Sequence, residues 1–253
     1  ALVDAGELPP VEERLPEEPL VIEPLEEIGQ YGGILKCAST QPAGGAEAWT
    51  LRVQPLFMIS SDLKTIVPNI AKGWDLSKDY KTLTIYLRKG MRWSDGVAFT
   101  ADDFLFWYEA ILLDEEIMPV KTASWVAGGE LVKMSKVDDY TVRFQFATPY
   151  PSIISRLGYI GNWTSNPFAP KHRFEKYHIK YNPKANEVAN EEGYDYWWQC
   201  FKDHLTEYPI SEKNSPDVSL DPWVQTKIDS FGNGYFDRNP YYWKIDTAGN
   251  QLP

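Results

Sequence analysis

The sequence is poor in the residues that most often carry reactive chemistry. It has two cysteines, Cys37 and Cys200, and three histidines, His172, His178 and His204, in 253 residues. There is no Cys-x-x-Cys pair and no Cys/His cluster, so a structural zinc site is not expected. No histidine is paired with another at helical spacing or set beside a cysteine, and all three read as lone surface side chains. The two thiols lie far apart and read as unpaired and partly buried; a single disulfide in an oxidising compartment is the alternative. No run of about 18 or more apolar residues occurs, so no helical membrane span is expected. A positively charged start leading into an apolar core is also missing, and no signal peptide is read. An exported protein in its mature form, with a lipid-modified cysteine removed from its start, looks the same.

Basic charge is in the minority: 25 Lys and Arg stand against 36 Asp and Glu, a formal net charge of -11. Phosphate backbones are repelled by such a surface, so nucleic acid is not an expected partner. Catalytic signatures are missing too, with no Gly-x-Ser-x-Gly elbow, Cys-His signature, P-loop or dinucleotide fingerprint. The adjacent carboxylates Asp102-Asp103 and Glu115-Glu116 diverge on a helix rather than face one another, which argues against acid-base work. Gly32-Gly33 and Gly128-Gly129 are too short to cradle a phosphate. The chain reads as a protein that is not an enzyme and needs no cofactor or metal.

What the sequence does have is a long patterned stretch from Pro68 to Leu113. Leu83, Ile85 and Leu87 alternate with Thr84, Tyr86 and Arg88, the period of a strand with one buried face. Lys89-Gly90 and Ser94-Asp95-Gly96 then supply turn residues. A helix is predicted from Thr100, whose hydroxyl can cap the first turn, with Asp102 and Asp103 at the positive end of the helix dipole. Phe104, Trp107, Tyr108 and Ile111 continue at helical spacing, widened by Leu105 and Leu112, so this helix is expected to be largely buried. Pro119 prevents its continuation.

Around this stretch the signals are plainer. From Glu7 to Glu27 the chain is acidic and carries Pro9, Pro10, Pro16, Pro19 and Pro24, which predicts an extended or polyproline II arm. Ile28-Gly29-Gln30-Tyr31-Gly32-Gly33 turns into an expected first strand, Ile34 to Ala38. Trp125 stands outside any period, flanked by small residues. It can stack on a sugar, pack against a peptide, or plug the core, and the residues leave these open. Val137-Asp138-Asp139-Tyr140 turns into a second alternating strand carrying Val142, Phe144 and Phe146. Asn162-Trp163-Thr164 fits a glycosylation sequon and is read as a chance match. Glu187 to Leu205 reads as one amphipathic helix with Val188, Tyr194, Trp197, Trp198, Phe201 and Leu205 on its core face.

Several of these runs also carry a resemblance. Val67-Pro68-Asn69-Ile70-Ala71, Trp74, Leu87-Arg88-Lys89-Gly90, Trp93-Ser94-Asp95-Gly96 and Phe99-Thr100-Ala101-Asp102-Asp103-Phe104, in this order, are similar to the signature of family 5 extracellular solute-binding proteins. Arg238-Asn239-Pro240-Tyr241-Tyr242-Trp243 resembles a second motif of that family, and the turn at Gly29 to Gly33 resembles the start of its mature members. The family comprises receptors of oligopeptide, dipeptide, nickel and some oligosaccharide ABC importers.

The resemblance implies an α/β, periplasmic-binding-protein-like fold of class II with an inserted extra domain, its mixed sheet flanked by helices and its first lobe incomplete. The expected division is an extended arm at 1–30, first-lobe residues at 31–50 and 166–253, and a small inserted α+β domain at 51–165. Family members continue past Asn250-Gln251-Leu252-Pro253, so the chain is expected to be a fragment lacking half of the pocket. In the family the first strand leads to the ligand cleft. That makes Thr40 and Gln41 candidate ligand contacts, with Trp125 as a third. The implied function is extracytoplasmic capture of oligopeptides for a membrane permease, with oligosaccharides as the alternative because 10 Trp and 15 Tyr suit stacking on sugar faces. Peptide-binding relatives hold the ligand's amino terminus with an acidic residue of the later lobe, and no position here matches it. A carbohydrate-active enzyme is the remaining, less favoured reading.

Overall fold

The structure, a computed structural model, describes residues 3–40, 53–158, 166–207 and 218–252. By contact the chain forms two units, one of residues 1–54, 89–98 and 207–253, the other of residues 55–88 and 99–206. The expected division assigned 166–206 to the first lobe. By contact those residues group with the second unit, because the segment entering them binds the predicted helix.

The first unit begins with the proline-rich arm, predicted to be extended or polyproline II; it carries one turn of helix and one short strand. Val11–Arg14 form one turn of helix, α1, and Leu20–Ile22 form a strand, β1. Proline is tolerated here because the turn starts directly after Pro10 and β1 sits at a sheet edge. Arg14 fastens the turn, donating from Nη1 to Gln251 Oε1 at 2.9 Å and to the carbonyl of Pro240. The Glu17 amide donates to the Lys89 carbonyl at 2.9 Å.

The second unit is built on the alternation described above. Phe57–Ile59 (β2) and Ile66–Pro68 (β3) form a hairpin. Ala71–Leu76 (β4), Thr82–Leu87 (β5), Lys133–Asp138 (β8) and Thr141–Gln145 (β9) make an antiparallel sheet in the order β4-β5-β9-β8. The short pair Val126–Ala127 (β6) and Glu130–Leu131 (β7) lies apart from it. On β5 the side chains of Leu83, Ile85 and Leu87 are buried, and across β9 so are Val142 and Phe144. Each such side chain contributes about 1.5–3 kcal/mol by leaving water.

Ala101–Trp107 form α2, and the cap is as the sequence predicts. Thr100 Oγ1 accepts from the Asp102 amide at 3.3 Å, and Asp103 Oδ2 accepts from the Thr100 amide at 2.9 Å, a capping box. Phe104 and Trp107 are buried. The chain then widens into a π-turn, Tyr108–Leu112. Its exit carbonyls are satisfied by Lys121, whose Nζ donates to those of Leu113, Asp114 and Met118. Asp103 also explains the grouping of 166–206. Its Oδ1 accepts from the Lys171 amide at 3.1 Å and its carbonyl from the Ala169 amide at 3.2 Å, while Phe168 packs on Phe99 and Phe104.

The remaining helices of this unit are Ile153–Leu157 (α3), Lys171–Phe174 (α4), Ala185–Glu191 (α5) and Trp197–Glu207 (α6). The single helix expected from Glu187 to Leu205 is therefore two. Gly193, at φ +88°, ends the first with a left-handed residue, and the Trp197 amide donates to Asn186 Oδ1 to restart the second.

The first unit is completed by the hairpin of Trp223–Ile228 (β10) and Gly234–Arg238 (β11), and by Lys244–Asp246 (β12), which pairs with β1 in parallel. Here the two motifs that carry the family resemblance meet. Gly96, at φ +90°, lies against the ring of Tyr241; a Cβ there would stand 2.9 Å from it. The Ser94 amide donates to the Ser219 carbonyl and the Ser219 amide to Ser94 Oγ, both at 3.0 Å. Trp93 and Trp243 are fully buried.

Candidate functional site

Residues 21–40 are exposed throughout, and the expected strand Ile34 to Ala38 is not formed. Ile34 is 85% and Leu35 75% exposed, and no strand among the described residues pairs with them. A strand exists only as part of a ladder, so apolar alternation without a neighbour leaves the backbone irregular. Tyr31 ties the segment down, donating from its hydroxyl to Asp246 Oδ2 at 2.7 Å. That carboxylate is held down at a pKa of about 2, chiefly by the Asn250 amide side chain and also by Tyr31. Thr40 ends the exposed stretch, and Gln41 lies outside the described residues.

Trp125 is in the second unit and is only 4% exposed. Its ring meets Trp107 edge-on at 5.0 Å and stacks on Phe144 at 5.8 Å, while its carbonyl accepts from the Val132 amide. The structure thus buries it as a core plug between α2 and the sheet, with no face left for a sugar or a peptide. Its sequence context hid this because its packing partners lie 18 residues before it and 19 after it.

The carboxylates weighed for catalysis have structural duties. Asp103 caps α2 and Asp102 bonds Lys136 Nζ at 2.9 Å; at the Glu115-Glu116 pair it is the neighbouring Asp114, not one of those carboxylates, whose Oδ1 accepts from the Glu116 and Ile117 amides. Glu109 is held by Lys180 at 2.8 Å and Tyr181 at 3.0 Å. Burial pushes its carboxyl up, but these two hydrogen bonds outweigh it and the net shift is down.

Two of the histidines expected at the surface are buried. His178 packs against Tyr181, Trp197 and Phe201; its Nδ1 accepts from the Lys180 amide at 3.2 Å and its Nε2 faces Asp114 at 3.5 Å. Burial lowers its pKa, and Asp114 only partly offsets that. His204 stacks on Tyr177 at 4.1 Å, with Nε2 2.6 Å from Glu192 Oε2. Cys200, one turn before it on α6, points its thiol at the same oxygen from 3.7 Å. The two cysteines are free, Cys37 exposed and Cys200 buried. The four-residue spacing of Cys200 and His204 was legible in the sequence. Glu192 was not, because it depends on the turn at Gly193.

No helix among the described residues is long and apolar enough to cross a membrane. Comparison with solved structures gives the class of fold, the α/β fold of the periplasmic binding proteins. A structure named oligopeptide-binding protein OppA is 33% identical, with a TM-score of 0.86, covering 100% of this chain and 38% of its own. The periplasmic binding protein MelB from Agrobacterium fabrum C58, in complex with stachyose, is 28% identical with a TM-score of 0.76, over 100% of this chain and 38% of its own. Residues 65–252 match the family model of bacterial extracellular solute-binding proteins, family 5 (middle), and the chain belongs to that family. The periplasmic alpha-galactoside-binding protein of Rhizobium meliloti is 34% identical over 271 residues, which is 99% of this chain and 36% of that protein. The chain thus spans under two fifths of the length of each of these relatives.

Proposed function

We propose that this chain is the ligand-receiving part of an extracytoplasmic receptor that captures an oligosaccharide and delivers it to the permease of an ABC importer. The carrying observation is the end-to-end match, 34% over 99% of the chain, to a protein named for binding alpha-galactosides in the periplasm. The likeness over the whole chain to MelB, whose structure holds stachyose, supports the same ligand class. Capture of an oligopeptide is the second reading, and the likeness to OppA at a TM-score of 0.86 favours it.

In this proposal the first unit belongs to the first lobe and the second unit is the inserted domain. The ligand is enclosed when two lobes close about a hinge, and the closed surface is what the permease reads. Thr40, at the end of the exposed segment, and Gln41 contribute to the cleft; buried Trp125 has no part in it. No catalytic role is assigned in this proposal; Asp103 serves as a cap and Asp102 in an ion pair.

The test is thermal melting of the full-length mature protein with a stachyose-type α-galactoside and, separately, with a pool of oligopeptides. A ligand at about a hundred times its dissociation constant adds roughly 2.7 kcal/mol to the folded state. A rise with the galactoside alone supports the sugar reading, and a rise with peptides alone replaces it with the second. If neither moves the melt, the receptor assignment for these two ligand classes fails.

A further inference from the structure

Among the described residues, one group of three side chains brings His, Cys and carboxylate ligand atoms within 4.8 Å of one another: Glu192, Cys200 and His204. Helical spacing puts Cys200 and His204 on one face of α6, and the turn at Gly193 returns Glu192 to that face. The imidazole is held by its stack on Tyr177, and Tyr194, in the turn, bonds Asp203 on α6. Thiol and imidazole converge on the same oxygen, Glu192 Oε2, from 3.7 and 2.6 Å. Both are nearly inaccessible, whereas the glutamate side chain is 35% exposed and gives the group one solvent-facing side.

We propose that Cys200 Sγ, His204 Nε2 and a Glu192 carboxylate oxygen form a binding site for a borderline divalent transition-metal ion such as zinc, with a fourth position open to water. The donor set fits. Sulfur and imidazole nitrogen are the ligands such ions favour, and a carboxylate commonly completes them. Zinc–ligand bonds of about 2.0–2.3 Å set neighbouring tetrahedral ligands roughly 3.3–3.7 Å apart. The sulfur–oxygen separation already meets this. The nitrogen–oxygen separation is that of a hydrogen bond, so Glu192 must withdraw by under about 1 Å, and sulfur and nitrogen, which lie within 4.8 Å, must come to the same spacing by side-chain rotation.

Binding balances simply. The ion takes the place of the thiol proton, which leaves to water, and His204 binds through the Nε2 lone pair as the neutral ring with its proton on Nδ1, any second ring proton also leaving to water. No oxidant or reductant is involved. The site lies wholly in the second unit, whereas Thr40 belongs to the first, and it is independent of the ligand reading above. Its effect would be to clamp the turn between α5 and α6 onto α6.

The test is a cobalt(II) titration of the chain carrying Cys37→Ser, which removes the exposed thiol. One equivalent should bind with a near-ultraviolet thiolate-to-cobalt charge-transfer band, zinc should displace it, and zinc alone should raise the melting temperature. Glu192→Gln should weaken binding about tenfold or more, Cys200→Ala should abolish the band, and His172→Gln should change neither. The spectrum of the Cys37→Ser chain decides the matter even if Cys200→Ala does not fold. No saturable cobalt binding, or binding without the charge-transfer band, would overturn the proposal.

Discussion

Residues 82–112 and residues 23–40 make an instructive pair. Both carry apolar residues and turn-forming glycines, yet the first becomes a buried strand and a capped helix while the second lies open to solvent. The difference is the presence of partners. β5 has a strand on each side, and α2 has Phe168 from a later segment, whereas Ile34 and Leu35 find no ladder among the described residues. Patterning states which face a segment will bury, and packing decides whether it does so.

The sharpest way to break this comparison is to delete the same kind of side chain in both regions. Phe104→Ala removes a fully buried ring of α2 that packs against Phe99 and Phe168. It should cost about 3–5 kcal/mol in a denaturant titration. Leu35→Ala, at a side chain 75% exposed, should stay within about 0.5 kcal/mol. Equal losses would mean that the exposed segment is packed after all.

A smaller effect tests what joins residues 166–206 to the sheet. Asp103→Ala removes the reciprocal half of the capping box and leaves the Thr100 and Lys171 amides without their acceptor. A loss of about 2 kcal/mol is expected. Asp102→Ala, which loses a half-exposed ion pair to Lys136, should cost clearly less. Its pairing with Lys136 makes the comparison one of burial rather than of charge.

The smallest effect is a pH dependence. Burial holds the His178 imidazole neutral below its ordinary range, against the pull of Asp114 and with the Lys180 charge nearby. An unfolded histidine titrates near 6.5, so above that pH both states are neutral and the full stability is present. As pH falls through about 6.5 the unfolded chain takes up a proton that the folded chain resists, and stability drops. Melting followed from pH 7.5 to 5 should show this decline, and His178→Gln should flatten it. An unchanged slope in the variant would assign the decline to other groups.

The local chemistry was the legible part of this chain. The cap at Thr100 and the alternation of β5 follow from neighbouring residues, and the structure reproduces both. What escaped were features set by distant segments. The arm reads as extended or polyproline II with no partner legible, yet Arg14 reaches Gln251 and β1 pairs with β12. His178 and His204 look like surface residues until aromatic neighbours from other turns cover them. Trp125 is a loop residue by sequence and a core residue by packing. The break at Gly193 was missed because the apolar spacing on either side of it fits one continuous helix.

The most direct test of the receptor account is hydrogen exchange on the full-length protein, with and without whichever ligand raises its melting temperature. The account predicts that backbone amides of 34–40 exchange freely without ligand and gain protection with it, while those of β5 and β9 are protected in both states. Exchange at 34–40 that ignores the bound ligand would contradict the placement of Thr40 and Gln41 in the cleft.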